Sequence, residues 1–195
     1  MIAPTTEPGD EPVSPIVERF DRVRHNVLGF TCGNPALDDY IHTMVMRDED
    51  QHTAAAYVLV DPAEPSTSRR VLGYYTLSSF ALAKQQARRR DRDKHLGGYD
   101  PVPAVLIGRL ALDAEFQGQG LGSILLFAAL GRTLIIREGL GIAVAVVQAI
   151  DDAAATFYEY QGFTRFRDQP HHLYYPLVTF EAASAKATRP EAENL

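Results

Sequence analysis

The sequence lacks the features that mark several common classes of protein. Cys32 is the only cysteine among 195 residues, so the chain can form no internal disulfide and no metal site built from several cysteines. No apolar run approaches the ~18 residues that a membrane-spanning helix needs. The first fifteen residues have neither the basic start nor the apolar core of a signal peptide. These absences favour a protein of the reducing cytoplasm that binds no metal.

Charge and composition narrow the class further. The formal net charge of −6 argues against a generally basic nucleic-acid-binding protein, although it leaves room for a local basic patch. An apolar fraction of 46% and a charged fraction of 23% are typical of a globular protein. Composition predicts disordered tails over residues 1–15 and 181–195. We therefore expect one folded domain over residues 16–180.

Hydrophobic periodicity predicts an α/β or α+β fold with a mixed sheet. Asn34 and Pro35 are a typical N-cap and first helical residue, and they open an amphipathic helix over 35–48. Residues 54–60 and 71–80 read as an antiparallel hairpin. The segments FTRFR and HHLYYPL are expected to form a closing pair of strands.

The centre of the chain predicts a strand–helix–strand unit. The strand 104–113 leads to a helix from Leu121 to about Glu138, which Gly139 is expected to end, and the strand 142–150 follows. Such a unit implies parallel strands joined by a right-handed crossover. A short helix capped by Asp151 or Asp152 should then run to residue 160.

Three glycines lie between that strand and that helix. Gly118, Gly120 and Gly122 occupy alternate positions, although glycine costs about 0.5–1 kcal/mol in a helix or strand. Without side chains the backbone can approach a phosphate, and the N–H groups at a helix start favour an anion. The absence of lysine excludes a Walker P-loop, and Ser123 breaks the dinucleotide pattern G-x-G-x-x-G. A glycine-rich surface turn is the alternative interpretation.

The segment RLALDAEFQGQGLGSILL resembles the acetyl-CoA motif of the GNAT superfamily of N-acetyltransferases, which is a strand followed by Q/R-x-x-G-x-G/A and a helix. The later segment AAATFYEYQGF resembles that superfamily's next helix, A-x-x-F-Y-x-x-x-G-F. The two motifs stand in the expected order with a strand between them. The resemblance covers about residues 20–178 and implies a twisted, mostly antiparallel sheet of six or seven strands flanked by about four helices, with a central β-α-β acetyl-CoA site.

The resemblance assigns roles to individual residues. Backbone N–H groups of Leu110 and Leu112 would hold the pantetheine arm and the thioester carbonyl of acetyl-CoA, and loss of such a donor typically costs about 3–4 kcal/mol in the transition state. Tyr158 would be the general acid that protonates the departing thiolate. The cofactor-binding residues that it implies are Leu110, Ala111, Leu112, Gln117, Gly118, Gln119, Gly120, Leu121, Gly122, Ser123 and Phe157.

Several of these side chains have a plainer interpretation. Tyr158 could be a core aromatic residue, although Phe157 is the better candidate for the core, and Tyr160 lies on nearly the opposite face of the helix. Cys32 reads as a small buried or turn residue, since no nucleophile motif surrounds it. No general base is evident; the histidines 95, 171 and 172 read as surface or strand residues.

The basic residues bear on the substrate. Residues 84–94 hold the one concentrated basic run, with Arg88, Arg89, Arg90 and Arg92, and it fits either an RNA backbone or a solvated loop. Arg109 lies inside an apolar strand and must either find a partner or point into a cleft. We expect it to point into the cleft.

A narrower resemblance concerns the biological role. The segments FTCGNPALDDYI, GYYTLSS and PVPAVLIGRLALD resemble the acetyltransferase toxins of type II toxin–antitoxin systems. This resemblance implies acetylation of the amine of aminoacyl-tRNA, a ribbon-helix-helix antitoxin and a homodimer. The overall acidity departs from the basic surface that suits tRNA. An ordinary N-acetyltransferase for a small-molecule or protein amine, and a non-catalytic acyl-CoA-binding protein, remain the alternatives.

Overall fold

The computed structural model describes residues 14–188. In chain order its strands are β1 (Ile16–Arg19), β2 (His25–Asn26), β3 (Ala55–Val60), β4 (Arg69–Arg70), β5 (Gly73–Leu82), β6 (Val102–Leu112), β7 (Val144–Gln148), β8 (Thr164–Arg165) and β9 (His172–Pro176). Its α-helices are α1 (Pro35–Asp39), α2 (Val45–Asp50), α3 (Arg89–Lys94), α4 (Leu121–Leu140), α5 (Asp152–Tyr160) and α6 (Leu177–Thr188).

Seven of these strands form one mixed sheet. Their order is β1–β3–β5–β6–β7–β9–β8, and each neighbouring pair is antiparallel except β6 and β7, which are parallel. Strands β2 and β4 pair separately in a short ribbon. The mixed sheet, the hairpin of β3 and β5 and the parallel pair joined through α4 are all confirmed. The helices number five if α1 and α2 count as one, against the four expected.

The helical run from α1 to α2 begins as predicted. The Asn34 side chain accepts hydrogen bonds from the N–H groups of Ala36 and Leu37 at 3.1 and 3.3 Å, so it satisfies donors that the helix itself leaves free. Residues Tyr40–Met44 form a π turn between α1 and α2. This wider turn places two successive residues, Tyr40 and Ile41, in buried positions.

The hydrophobic core lies on both faces of the sheet. On one face, alternate strand residues such as Val105 and Ile107 pack against α4, α5 and α6. The opposite face is covered in two places, by the α1–α2 run and by residues of segment 83–101. Between these two covers, Thr76 and Ser78 help to form the floor of an open cleft.

A β-bulge in β6 decides which of its side chains face that cleft. Thr76 pairs with Arg109 while the next residue of β5, Leu77, pairs with Ile107, so Gly108 is an extra residue in β6. An extra residue reverses the alternation of side chains beyond it. Ile107 therefore faces α4, whereas Arg109 faces the cleft on the other side of the sheet.

Two predicted boundaries were wrong. Gly141, with a φ of 63°, ends α4, and Gly139 lies within its last turn; the helix continues because nothing before Gly141 requires a left-handed residue. Residues 181–188, expected in the C-terminal tail, belong to α6, which is held to α4 where Phe180 stacks on Phe127 and Arg137 pairs with Glu181. Residues 1–13 and 189–195 of the predicted tails lie outside the described residues.

Candidate active site

The site begins where β6 parts from β7. The two strands pair only over Ala104–Ile107 of β6, whereas β6 stays paired with β5 as far as Leu112. The Asp113 N–H donates to the Leu72 carbonyl, on the β5 side, at 2.9 Å. Because N–H groups alternate along an extended strand, those of Leu110 and Leu112 point into the gap left by β7. This is the orientation expected of groups that bind a thioester carbonyl.

Ala111 differs from its two neighbours. By the same alternation its N–H points towards β5, and its side chain is buried under the α1–α2 run. The resemblance to the GNAT superfamily placed Ala111 among the cofactor-binding residues, but in this geometry its backbone N–H does not point into the gap between β6 and β7.

Tyr158 lies on α5 at the same gap. The Asp151 carboxylate caps that helix by accepting a hydrogen bond from the Ala154 N–H at 2.7 Å, and Gly162, with a φ of 95°, follows its end. The Tyr158 ring packs against Phe163, and its side chain is buried among core residues. This position agrees with the interpretation of Tyr158 as a core aromatic residue, and its role as a general acid stays a prediction.

The hydroxyl of Tyr158 is nonetheless placed for chemistry. Burial raises the pKa of Tyr158 to about 12, so the phenol keeps its proton at neutral pH. Within residues 14–188 the hydroxyl has no hydrogen-bond partner. Tyr158 and Leu110 line the same cavity of about 60 Å³, together with Arg109 and Gln148. A neutral phenol beside backbone donors is a suitable environment for protonating a leaving group.

The glycine loop at the start of α4 has a backbone conformation that favours glycine at two positions. Gly118 and Gly120 have φ angles of 76° and 82°, in the left-handed region that L-residues rarely adopt. Gly120 occupies the N-cap of α4 and offers no side chain to its first N–H groups. The N–H groups of Leu121 and Gly122 therefore present their donors and the helix dipole at the surface, whereas the Ser123 N–H donates to the Gly120 carbonyl at 3.1 Å. An anion would find both at the start of α4.

Gly122 is a different case. It lies within α4, and a methyl group there would be 3.7 Å from Leu112 and 3.8 Å from Phe157, which is ordinary contact. No left-handed conformation requires glycine at this position. Phe157 is the core candidate on α5, and here it is partly buried against the first turn of α4.

Side-chain amides hold the loop in place. The Gln117 amide donates to the carbonyls of Leu112 and Cys32 at 3.0 and 2.9 Å. It therefore joins the end of β6 to the segment that leads into α1. The Gln119 amide donates to a backbone carbonyl within the same loop. Gln161, just after α5, donates to the Ser123 hydroxyl at 2.9 Å and ties α5 to α4.

An open cleft of about 790 Å³ lies on the sheet face opposite α4. Its lining residues come from the α1–α2 run, β5, β6 and the end of β7, and they include Arg109 and Gln148. These two residues also line the small cavity that holds Tyr158. The cleft, the Tyr158 hydroxyl and the gap between β6 and β7 therefore form one continuous region.

Arg109 points into this cleft, as the sequence analysis expects. Its guanidinium carbon lies 3.6 Å from the centre of the Tyr40 ring, a close cation–π contact. Tyr40 is 2% exposed, and its hydroxyl has no hydrogen-bond partner in the described residues. Burial raises the pKa of Tyr40 to about 12 against the opposing effect of Arg109. Tyr40 was missed from the sequence, where its helical spacing indicated only a core residue.

The basic run lies on the same face of the sheet as the cleft, but it does not line it. Helix α3 carries most of the run, and the cluster beneath that segment includes Leu106, which also belongs to the cleft. Arg88, Arg89 and Arg90 are exposed, and none of them has an ion-pair partner within residues 14–188. These charges are therefore free to meet an anionic surface beside the cleft.

Asp113 is a second residue that the sequence analysis did not single out. Its carboxylate is buried at the end of β6, where it pairs with Arg70 at 3.3 Å and accepts a hydrogen bond from the Glu115 N–H at 3.1 Å. The backbone of Ala114 donates to Thr31 at 2.8 Å. Asp113 therefore fixes the turn from which the glycine loop starts. The only signal in the sequence for this role is that Asp113 is a single acidic residue at the end of an apolar strand.

The histidines and the cysteine take no part in the cavity or the cleft. His171 pairs with Asp152 on the surface, His172 packs on Phe166, and His95 ends α3. Burial raises the pKa of Cys32 to about 11, so the thiol is a poor nucleophile at neutral pH. Among residues 14–188 no three potential ligands lie close enough together to hold a metal ion.

Comparison with known proteins gives the family. Residues 23–165 match the model of the acetyltransferase (GNAT) domain. The tRNA-acetylating toxin of Mycobacterium tuberculosis (strain ATCC 25618 / H37Rv) is 34% identical over 148 residues, which is 76% of this chain and 84% of that protein. No helix in the described part of the chain is both long and apolar enough to cross a membrane.

Two solved structures have similar folds. AtaT complexed with acetyl-methionyl-tRNAfMet has a TM-score of 0.78 and 28% identity, and the match covers 87% of this chain and 99% of that one. A tyrosine-to-phenylalanine mutant of the AtaT toxin, bound to the C-terminus of the antitoxin AtaR and acetyl-CoA, has a TM-score of 0.73 and 27% identity. That match covers 87% of this chain and 98% of the other.

Proposed function

Because this chain belongs to the GNAT family of acetyltransferases, we propose that it is a toxin that acetylates the α-amino group of aminoacyl-tRNA. It is an N-acetyltransferase and uses acetyl-CoA. The observation that carries the proposal is the cavity shared by Tyr158 and Leu110, which joins the gap between β6 and β7 to a large cleft. Relatives of this chain include a tRNA-acetylating toxin and a toxin solved with acetylated tRNA.

The donor side of the site fits acetyl-CoA. Left-handed glycines 118 and 120 and the uncapped start of α4 offer backbone N–H groups for a diphosphate. The gap between β6 and β7 offers the N–H groups of Leu110 and Leu112 to an extended arm that carries amides and a thioester. When bound, acetyl-CoA supplies the acetyl group as a thioester. These N–H groups would hold its diphosphate and its thioester carbonyl.

The chain's own groups then serve a direct transfer. The neutral amine enters from the cleft, forms a bond to the thioester carbonyl carbon and displaces the thiolate. The Leu110 N–H stabilises the negative charge that develops on the carbonyl oxygen. Tyr158 gives its proton to the thiolate, and the proton released by the nitrogen restores the phenol through water. No covalent enzyme intermediate is required, which agrees with the poorly reactive Cys32 thiol.

The acceptor side favours a large polyanion over a small amine. The cleft is open, and the exposed arginines of α3 lie on the same face of the sheet. Lys and Arg side chains bind RNA phosphates through charge. The net charge of −6 belongs to the whole chain, whereas the unpaired basic residues are concentrated here. We further propose a cytoplasmic homodimer that a ribbon-helix-helix antitoxin holds inactive.

Transfer of labelled acetyl groups from acetyl-CoA to a pool of aminoacyl-tRNA tests the proposal. Wild-type protein should label the pool, and Tyr158→Phe should lower turnover tenfold or more while leaving the affinity for acetyl-CoA nearly unchanged. Tyr160→Phe is the matched control, because Tyr160 lies on the same helix and is 88% exposed. Full turnover by Tyr158→Phe would remove this phenol from the mechanism.

The same assay separates the alternatives. An ordinary N-acetyltransferase would leave tRNA unlabelled and label a small-molecule or protein amine. A non-catalytic acyl-CoA-binding protein would bind acetyl-CoA and label no amine. Growth arrest on expression, relieved by a short neighbouring gene that encodes a ribbon-helix-helix protein, would support the antitoxin.

A further inference from the structure

Arg109 is held in a fixed position against an aromatic ring, which non-specific binding of an RNA backbone would not require. Its guanidinium carbon lies 3.6 Å from the centre of the Tyr40 ring, whereas Arg89 and Arg90 of α3 are exposed and make no comparable contact. The backbone of Arg109 pairs with Thr76 of β5, but its side chain makes no hydrogen bond or ion pair with any residue in 14–188. A partly buried guanidinium has five N–H donors and cannot lose its charge. Its donors are therefore available to something that enters the cleft.

Tyr40 provides a rigid surface for this arginine. It lies in the π turn after α1, is almost fully buried, and stacks on Tyr74 with ring centres 6.0 Å apart. Tyr74 is itself fixed by a hydrogen bond from its hydroxyl to the Leu37 carbonyl at 2.7 Å. The Tyr40 hydroxyl has no hydrogen-bond partner among the described residues, and the contact with Arg109 is made by the ring.

The charges around Arg109 favour an anion. The other charged residues that line the cleft are Arg47 and Asp48, and they approach each other at 3.6 Å. Since these two charges offset each other, Arg109 leaves the cleft with one net positive charge. The bulge at Gly108 is what directs this charge into the cleft and away from the core of α4.

We propose that Arg109, held on the Tyr40 ring, binds the phosphate group of the nucleotide that carries the aminoacyl group, and so selects nucleotide-linked amines over free ones. This inference rests on the proposed function. Guanidinium and phosphate match in geometry and charge. Arg109 would contact the substrate, and Tyr40 would be a positioning residue.

Reach supports a phosphate over a carboxylate. The Leu110 N–H, at the proposed point of reaction, follows Arg109 directly, and an extended arginine side chain places its guanidinium roughly 6 Å from its own Cα, given bonds of about 1.5 Å. In an aminoacyl ester, eight bonds separate the amine from the 5′-phosphorus of the same nucleotide, a span of up to roughly 10 Å. The carboxylate of a free amino acid lies only roughly 3 Å from its amine on the same basis, so a phosphate can meet the guanidinium over a wider range of amine positions than a carboxylate can.

Two small acceptors test the proposal directly. They are 3′-aminoacylamino-3′-deoxyadenosine and the same compound with a 5′-phosphate, whose amide links resist hydrolysis. For wild-type protein we expect the 5′-phosphate to lower the acceptor KM about tenfold or more, because charge-assisted hydrogen bonds are strong. In Arg109→Met this preference should vanish, and the KM for acetyl-CoA should stay unchanged. Arg109→Lys should keep only part of the preference for the 5′-phosphate, since an ammonium group can neither stack on the ring as a guanidinium does nor form a bidentate pair of hydrogen bonds with the phosphate.

Variants of Tyr40 test the positioning role. Tyr40→Phe keeps the ring and should keep the phosphate preference and kcat. Tyr40→Leu removes the ring and should lose most of the preference through the acceptor KM alone. If Tyr40→Leu does not fold, the comparison of wild type, Arg109→Met and Tyr40→Phe still decides.

The outcomes distinguish the two proposals. Equal KM values for the two compounds in wild-type protein, or a preference that persists in Arg109→Met, would overturn the role of Arg109 while acetylation of tRNA continued. Failure to acetylate tRNA and both compounds would overturn the proposed function itself. A preference that is present in wild type and absent from Arg109→Met supports both.

Discussion

Replacing Gly120 with alanine should weaken acetyl-CoA binding by about 5- to 30-fold. The added Cβ has open space around it, because no atom lies within 4 Å, so the change acts through the backbone alone. A φ of 82° costs an L-residue about 1–2 kcal/mol. Residues 117–120 are exposed, so the variant loop can relax to another conformation in the free protein. Binding must then restore the left-handed residue, and the cost appears in Kd.

Gly139→Ala is the matched control for this change. Gly139 also has open space around it, but it lies inside α4, where alanine is favoured over glycine by about 0.5–1 kcal/mol. This variant should gain a few degrees in Tm and keep its affinity. Calorimetric titration with acetyl-CoA and thermal unfolding measure the two effects. A folded Gly120→Ala protein that binds acetyl-CoA as the wild type does would refute the loop as the diphosphate site.

Two further predictions concern stability. Partial burial acts to raise the pKa of Glu18, but hydrogen bonds from His25 and Arg69 outweigh it and lower the pKa below 4.5. The ionised carboxylate therefore stabilises the fold above that pH. This stabilisation is lost as the pH falls through the lower pKa of the folded state. Glu18→Gln should lower the free energy of unfolding by roughly 1–2 kcal/mol at pH 7, after allowance for screening by solvent. Urea titrations at several pH values should show the difference in stability between wild type and variant disappearing below pH 4. A difference that does not change with pH would contradict a stabilising role for the Glu18 carboxylate. Gly162→Ala combines a φ of 95° with a methyl group only 2.8 Å from Tyr175, so thermal unfolding should show a loss of about 2 kcal/mol or more. An unchanged Tm would contradict both the backbone cost and the steric cost.

The parts of the fold that depend on local chemistry could be predicted from the sequence. Asn34 and Asp151 cap helices because their side chains reach the first free N–H groups, whatever the rest of the chain does. The left-handed glycines 118 and 120 follow from the same local cost of a side chain. The prediction that Gly139 ends α4 was wrong because any glycine near the end of a helical pattern resembles a C-terminal cap. Tertiary packing decides that α4 continues to Gly141.

The parts of the site that depend on distant residues could not be predicted. Helical spacing marked Tyr40 as a core residue, which is true, but its contact with Arg109 joins positions 69 residues apart in sequence. The pair of Asp113 and Arg70 likewise joins the end of β6 to β4, which is distant in sequence. The position of the α3 arginines on the cleft face depends on how segment 83–101 crosses the sheet, and an exposed charged run carries no signal for that.

The extra residue in β6 has a consequence for how this enzyme can change over generations. Single substitutions in β6 after Gly108 can change the side chains that the acceptor amine contacts, one position at a time. Deletion of a single codon there would exchange every later side chain of the strand between the two faces, burying Arg109 beneath α4 and exposing Leu110. We therefore expect relatives to conserve the number of residues between Ala104 and Leu112 more strictly than their identity, and insertions or deletions in that interval should separate relatives with different acceptors.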